Sequence, residues 1–562
     1  MVKTFHKTIK RMFKNNLARF FANFMIVLIS VAISSGLACL PNSYQDSFAE
    51  NYSDGNAPDL ILKETTGKGF FEEDIQKIES IEGVKEASAF TSMDVVSDDF
   101  IYRFNVLDFS SDIGKLNLVE GQYPSDEIQL SEEIPVLVEL SHDSFLKAEI
   151  GDHFSVKTSL LNLLGYSELN FVVTGIVDSP LYNSVQRENA NLQGSSEEVL
   201  KKTYVDRVFY IDEKLLPKEI SVSNVKIPLS SFLVKTDMYV VYQNKSSYFT
   251  KNYQTEMEKR KEEISNLFSD GNVYVLTLEE NVSYALFKNY NEKVRYISFV
   301  FPLFFILVCA LVNLITITKL IKDERAMIGT YVSLGISKGK IVGKYLSFTF
   351  LSTVLGALTG LLLGIPLIPS VVLPAYGSVF EMNSISLFSN VGWYGFLCAF
   401  LIVFAALLVT FFSSISYLRE TPAGLMKQKA PKPGKKILLQ RIGFLWKPLP
   451  FRYKSALRNV FLQKKNLFLT SFSIIGATLL IFAGFALLDV SSALVNDALF
   501  KNVSSSMGLI STVIIMFALS MGVVVVYSLA VMNVSDRERE IATLKVLGYF
   551  DRECLSYSAK SS

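Results

Sequence analysis

Six apolar runs constrain this chain more than any other feature. Residues 20–40, 297–318, 345–372, 392–417, 467–488 and 508–532 contain no Asp, Glu, Lys or Arg. Each reaches the ~20 residues a helix needs to cross the hydrocarbon core of a bilayer. Backbone N–H and C=O groups in that core must be satisfied internally, so the runs read as about six transmembrane helices, TM1 to TM6, of an α-helical integral membrane protein. Half of the 562 residues are apolar and 19% are charged, which leaves too little polar surface for an ordinary soluble protein.

Basic residues orient the runs, because Lys and Arg accumulate on cytoplasmic loops. Lys3, Lys7, Lys10, Arg11, Lys14 and Arg19 precede any acid, and residues 419–465 hold 13 bases against one acid, Glu420. The N-terminus, loop 319–344, segment 418–466 and the C-terminus are therefore expected in the cytoplasm, with residues 43–295 outside. That outer segment holds 43 acids and 24 bases, so the net charge of +1 conceals a topological asymmetry and not a nucleic-acid surface. Residues 1–19 alternate basic and apolar side chains and read as a cytoplasmic amphipathic helix leading into TM1. Run 20–40 is too long for the apolar core of a cleaved signal and reads as a retained anchor.

Residues 43–295 are expected to form a large extracytoplasmic α/β domain. Strands are expected at 59–62, 84–90, 134–140, 154–157, 171–177, 208–211 and 273–276, and helices at 72–81, 141–148 and 253–268. Cys39, Cys309 and Cys398 lie in apolar runs and Cys554 lies beyond the last one, so the domain has no disulfide. Residues 179–202 are polar and weakly periodic and read as a mobile insertion. From Leu278 a helical pattern without Gly or Pro continues through 281–295 into TM2 and is read as a stalk helix. On this reading the domain meets the membrane at two points and folds alone.

A short block occurs twice. IGTYVSLG at 328–335 and IATLKVLG at 541–548 share Ile, Thr, Leu and Gly, and each follows an apolar run and a charged cluster, 322–325 or 536–540. Recurrence in the same setting points to a duplicated membrane unit with equivalent docking helices, where a solvated charged face is the plainer alternative. In TM3, Gly356, Gly360 and Gly364 at spacing four share a helix face that admits another backbone.

Catalytic motifs fail on context. No P-loop spacing is present, and Gly335-Ile336-Ser337-Lys338-Gly339 matches a nucleophile elbow in spelling but follows a membrane helix. His142-Asp143 and Asp152-His153 are isolated pairs, short of a converging metal-ligand set. Catalytic, cofactor and metal residues are expected to be absent. An ion-coupled carrier is disfavoured because the runs lack ionisable groups.

The pattern resembles the FtsX/MacB-like ABC transporter permease family, in particular the large Gram-positive type with two permease units in one chain. The resemblance lies in Phe301-Pro302-Leu303-Phe304-Phe305, Glu324-Arg325 ahead of IGTYVSLGISKGKI, Arg419 with Thr421-Pro422-Ala423, Arg458-Asn459, and DREREIATLKVLGYFDRE. It extends more loosely to LVEGQYP at 118–124, Gly151-Asp152 and VVTGIV at 172–177. The resemblance implies a first permease unit at 297–417 with its coupling loop, a basic linker at 418–466, a partial second unit at 467–550 and a tail at 551–562. A further helix pair would follow Asp551-Arg552-Glu553 in the family pattern, so the second unit reads as incomplete.

It also implies a bacterial cytoplasmic-membrane subunit without its own ATPase, working with a separate cytoplasmic ABC ATPase dimer and in contact with membrane lipid. Coupling is expected at Asp323, Glu324, Arg325, Leu334, Gly335, Glu538, Arg539, Glu540, Lys545 and Gly548. ATP hydrolysis would then move the outer domain by mechanotransmission, for export, extraction or sensing of an amphiphile such as a lipid-linked molecule or antimicrobial peptide. The alternative is an FtsX-type transducer that transports nothing and controls a cell-wall hydrolase or a sensor kinase.

Overall fold

The computed structural model describes residues 2–426, apart from 98–99, 126–132, 142–147, 158–167, 186, 191–203, 223–224, 229–232, 269–270, 378 and 382–391, together with scattered positions between 471 and 550. Most of TM5, TM6 and the linker, the helix expected at 141–148, and Glu538, Arg539, Glu540 and Lys545 lie outside the described residues.

The chain opens with α1 (Val2–Asn15) and turns at Asn16 into α2 (Leu17–Asp54). At 1.5 Å per residue the 38 residues of α2 rise about 57 Å, nearly twice the ~30 Å hydrocarbon core. Its far half therefore stands clear of the bilayer and enters the sheet domain.

The sheet domain is built from β1 (Leu60–Glu64), α3 (Glu72–Glu79), β2 (Val84–Ser97), β3 (Phe100–Leu107), β4 (Asn117–Gly121), β5 (Ile134–Glu139), β6 (His153–Val156), β7 (Leu169–Asp178), β8 (Arg207–Asp212), β9 (Glu219–Val222), β10 (Val225–Pro228), β11 (Asp237–Tyr242), α4 (Lys251–Leu267) and β12 (Val273–Thr277). Strand order is β12-β1-β11-β2-β3-β8-β5-β7-β4, with β6 on β7 and a separate β9–β10 hairpin.

The long strand β2 organises this sheet. Its first half pairs antiparallel with β11, Phe90 opposite Asp237, and its second half with β3, Thr91 opposite Val106. Each half carries its own core: Leu60, Ile78, Val84, Met238 and Ile264 on one side, Phe104, Val136, Phe171, Val173 and Phe209 on the other. The seven strands expected from the sequence are present. The run FIYRFNVL of β3 escapes that reading because its six central residues are all buried, Arg103 and Asn105 among them, which removes the alternation that marks a half-buried strand.

From the sheet the chain returns through α5 (Val282–Asp323), a single 42-residue helix of about 63 Å, then α6 (Arg325–Ser333), α7 (Lys338–Gly377), α8 (Gly392–Leu418) and the short α9 (Pro422–Met426). The helices α2, α5, α7 and α8 are each long and apolar enough to cross a membrane. The protein is thus an integral membrane protein with a large α/β domain outside the bilayer.

Where α2 and α5 leave the bilayer they share an aromatic core. Phe48 stacks on Phe287 at 3.7 Å between ring centroids, and Phe380 meets both edge-on at 5.4 and 5.7 Å. Tyr52 lies 5.7 Å from Tyr284, which stacks on Phe249 at 4.4 Å. Phe48, Phe287 and Tyr284 are fully buried, each side chain contributing roughly 1.5–3 kcal/mol of hydrophobic stabilisation. Ile368 and Val372 of α7 join the same cluster.

Two expectations change here. The sheet domain meets the membrane unit at a third place, segment 379–381 beyond α7, because its aromatic core is completed by Phe380. Residues 179–185 and 187–190, the described part of the expected mobile insertion, form a strap in which Leu181, Tyr182, Asn183, Ser184 and Arg187 are all buried.

Inside the bundle the three glycines of TM3 face α2. A Cβ at Gly356 would lie 2.7 Å from the carbonyl oxygen of Phe24, and one at Gly360 2.7 Å from that of Leu28. A Cβ at Gly364 would run into the backbone of Ala32, and Gly36 of α2 answers with Ile368 against it. Polar side chains tie the remaining helices: Asn23 donates to Ser352 at 2.8 Å, Asn313 to the Ala406 carbonyl at 2.7 Å and to Thr410 at 3.1 Å, and Thr349 meets Thr410 at 2.9 Å. Replacing Gly360 by Leu is expected to abolish the monodisperse peak in detergent size-exclusion chromatography, whereas Gly343→Leu on the same helix, where a Cβ meets nothing within 4 Å, leaves it intact. Equal tolerance of both variants would refute the α2–α7 seam.

Candidate functional site

At the bundle end far from the sheet, α5 breaks at Glu324 and restarts as α6. The break is held by charge. Arg19 donates to Asp323 at 2.6 Å, Lys344 to Glu324 at 2.6 Å and the Tyr345 hydroxyl to Glu324 at 2.8 Å. Lys344 is 1% exposed, so Glu324 is its neutralising partner in a site with little water. Arg325 pairs with Glu420 and donates to the Gly424 carbonyl at 2.8 Å.

The short helix α9 has a matching role. Thr421 caps it, accepting from the Gly424 amide at 3.3 Å, and a Cβ at Gly329 would lie 2.8 Å from Met426 and 3.1 Å from the Pro422 carbonyl. The Thr421-Pro422-Ala423 spelling therefore builds the platform on which α6 lies.

The C-terminal end of α6 is closed by a Gly-ended cap. The Ile336 amide donates to the Tyr331 carbonyl at 3.0 Å and the Gly335 amide to that of Val332 at 3.1 Å, with Gly335 at φ +77°, a conformation that favours glycine. Gly548 in the second copy takes φ +90°. Ile328, Gly329 and Tyr331 face inward, while Met327 and Leu334 are 45% and 56% exposed beside Thr330, Lys338 and Lys340.

The expected coupling residues thus divide. Asp323, Glu324 and Arg325 are engaged in internal ion pairs, Gly335 shapes the turn, and Leu334 is presented outward. Met327 belongs to the exposed face and was not among the expected coupling residues. Its signal in the sequence is an apolar side chain where the second copy carries Glu540.

At the opposite end the strap 179–190 binds the membrane unit. Val185 donates from its amide to the Val379 carbonyl at 2.9 Å, Glu381 donates to the Asn183 carbonyl at 2.8 Å, and Ser184 bridges Phe380. Arg187 pairs with Glu381 at 2.5 Å, their side chains 4% and 1% exposed, and Ser141 donates to Glu381 at 2.8 Å. Glu188, next along the strap, accepts from Arg103 at 2.7 Å, Lys63 at 3.3 Å and Asn281 at 3.3 Å. Asn281 is the N-cap of α5, its side chain accepting from the Tyr284 amide at 3.2 Å. The strap therefore links the far end of α7 to the first turn of α5. Only the apolar spacing of Leu181, Tyr182 and Val185 could have betrayed it.

Beneath the strap, burial pushes Glu139 up to about 8 and nearby Asp178 adds to the shift. Arg187, the Tyr210 hydroxyl at 2.5 Å and the Ser179 amide at 2.9 Å oppose it.

Residues 299–423 match the family described as FtsX-like permease C-terminal. That segment of the chain resembles an FtsX-like permease C-terminal domain. Among solved structures, the crystal structure of the extracellular domain of the noncanonic ABC-type transporter YknZ from Gram-positive bacteria is similar at 14% identity and a TM-score of 0.21. The similarity covers 39% of this chain and 99% of that one. No curated protein matches the chain. The matched segment begins inside α5 and ends within α9, so it contains the break at Glu324 and the capped helix α6.

The protein should lose stability as pH rises. Folded Glu139 keeps a proton that the unfolded chain releases above its ordinary value of 4.5, so its stabilising contribution is complete below pH 4.5 and disappears as pH climbs through about 8. Wild-type protein should unfold at a lower temperature at pH 8.5 than at pH 5, by roughly 2–4 °C for each ~1 kcal/mol lost. The permanently neutral Glu139→Gln should show a smaller difference, measured by intrinsic fluorescence during heating. An unchanged pH difference would remove Glu139 as the cause.

Proposed function

We propose that this FtsX-like chain is the membrane subunit of an ABC transporter, driven by a separate cytoplasmic ATPase that docks on Met327, Leu334 and the adjoining Lys338–Lys340 turn. The observation that carries this reading is the continuity of α5. One helix runs from the ion-paired break below Asp323 to the cap at Asn281, where Glu188 ties it to the strap. Movement imposed on α6 would reach the strap through α5 and, by way of Lys344 and the Arg187–Glu381 pair, through α7 as well.

Two apolar side chains within a polar and basic surround suit a protein partner, since interface anchors are desolvated apolar groups and their rim is polar. The ion pairs behind them would supply stiffness in place of contact. Gly548 shares the left-handed turn of Gly335, which supports a second equivalent docking element and hence a two-fold symmetric ATPase. The ATPase would supply all ATP chemistry, and the permease none.

The object of the movement is proposed to be an amphiphile, exported, extracted or sensed. The strap meets the membrane unit at 379–381, just beyond α7, at the level where a lipid-linked molecule or an antimicrobial peptide presents its polar part.

Full-length chain co-expressed with its ATPase provides the test. Met327→Asp and Leu334→Asp should each weaken association about tenfold or more, equivalent to ~1.4 kcal/mol, and abolish stimulation of ATP hydrolysis while leaving the chain folded. Glu324→Gln should instead lower thermal stability, because it leaves the Lys344 charge buried without its partner. Normal stimulation by both aspartate variants would show that the ATPase docks elsewhere.

A further inference from the structure

A groove of about 420 Å³ lies beside the coupling break, between α1 and the junction of α5 with α6. Its walls are Thr8, Arg11, Met12 and Asn15 on one face of α1, Arg19 at the start of α2, and Asp323 and Met327 opposite. Such a volume holds a small ligand's polar part.

The charges within it do not cancel. Asp323 is taken by Arg19 and Glu324 by Lys344. Arg11, exposed at the mouth, makes no hydrogen bond or ion pair among the described residues. Lys7, Lys10 and Lys14, also exposed, extend the positive potential along α1, which carries no acid.

The groove also has an apolar shoulder. Ala18 lines it, and Leu17 and Phe21, on the adjoining face of α2, are 61% and 54% exposed. Phe24 continues this strip along the span, 6.0 Å from Phe21. A cationic recess opening onto an apolar strip at the level where a helix enters the bilayer matches an amphiphile with an anionic head.

We propose that this groove binds the headgroup of an anionic phospholipid of the adjoining leaflet, with Arg11 on its phosphate and an acyl chain along Leu17 and Phe21. The bound lipid would bridge α1 to Asp323 and Met327, which places lipid composition next to the coupling loop. The inference rests on the membrane-spanning architecture and is independent of ATPase docking.

Native mass spectrometry of the purified full chain, titrated with phosphatidylglycerol or phosphatidylcholine, tests it. Phosphatidylglycerol should be retained preferentially, and both Arg11→Glu and Arg11→Gln should reduce that retention about tenfold. Lys14→Glu, outside the groove, should change it less than threefold. All three variants should elute as the wild type does, since neither side chain supports the fold. Soluble glycerol 3-phosphate, which lacks acyl chains, should fail to displace the lipid.

Equal losses from Arg11→Gln and Lys14→Glu would reduce the effect to diffuse attraction and overturn the site. No preference over phosphatidylcholine would also overturn it. Displacement by glycerol 3-phosphate would reassign the groove to free phosphate esters and overturn the lipid.

Discussion

The arrangement depends on the backbone-to-backbone approach of α2 and α7. Without a hydrophobic driving force between helices in lipid, association comes from van der Waals contact and polar ties, and small residues allow both. Gly36, Gly356, Gly360 and Gly364 clear the space along several turns. Because both helices are long, that one seam positions features at both ends. It brings Lys344 to Glu324 and Phe348 against Phe13 and Phe20 at the base. At the other end it carries Ile368, Val372 and Phe380 into the aromatic core around Phe48.

The charged groups behave differently from the aromatic ones. A buried ion pair gains little over an apolar pair of the same shape, because desolvation offsets most of the attraction, yet losing one partner costs about 3–5 kcal/mol. Arg187–Glu381 and Lys344–Glu324 therefore contribute register more than net stability. The first joins elements 194 residues apart and the second spans the 20 residues between the α5 break and α7, each at a place where packing alone would tolerate sliding. Glu188 extends the same logic, since burial raises its proton affinity while Lys63 and Arg103 hold it below the usual carboxylate range, and its second oxygen reaches the cap of α5.

These fixed points give the molecule two parallel routes between its ends. Along α5 the path is one unbroken helix, and along α7 it is a helix anchored at Lys344 and followed by Glu381. The strap closes the two routes into a loop. In the same frame the sheet domain's core is shared with the membrane unit.

How much of this was legible in the sequence follows from the range of each interaction. Hydrophobic run length, charge asymmetry and the repeated IGTYVSLG block are local properties, and they sufficed for the four spans among the described residues, for most strands of the sheet and for the position of the short helix α6. The glycine face of TM3 was visible too, because spacing four defines a helix face, but its partner α2 was not. The strap read as a mobile insertion because its polar side chains look solvated until Glu381, nearly 200 residues later, is placed beside Arg187. The ion pairs of Asp323, Glu324 and Arg325 were not legible either, because their partners Arg19, Lys344 and Glu420 come from other segments of the chain. Sequence alone determined that this chain crosses a membrane and carries a permease-like loop. Only the tertiary structure decided which charges are paired and which apolar side chains stay exposed, because a charged residue's surroundings are set by contacts between different elements.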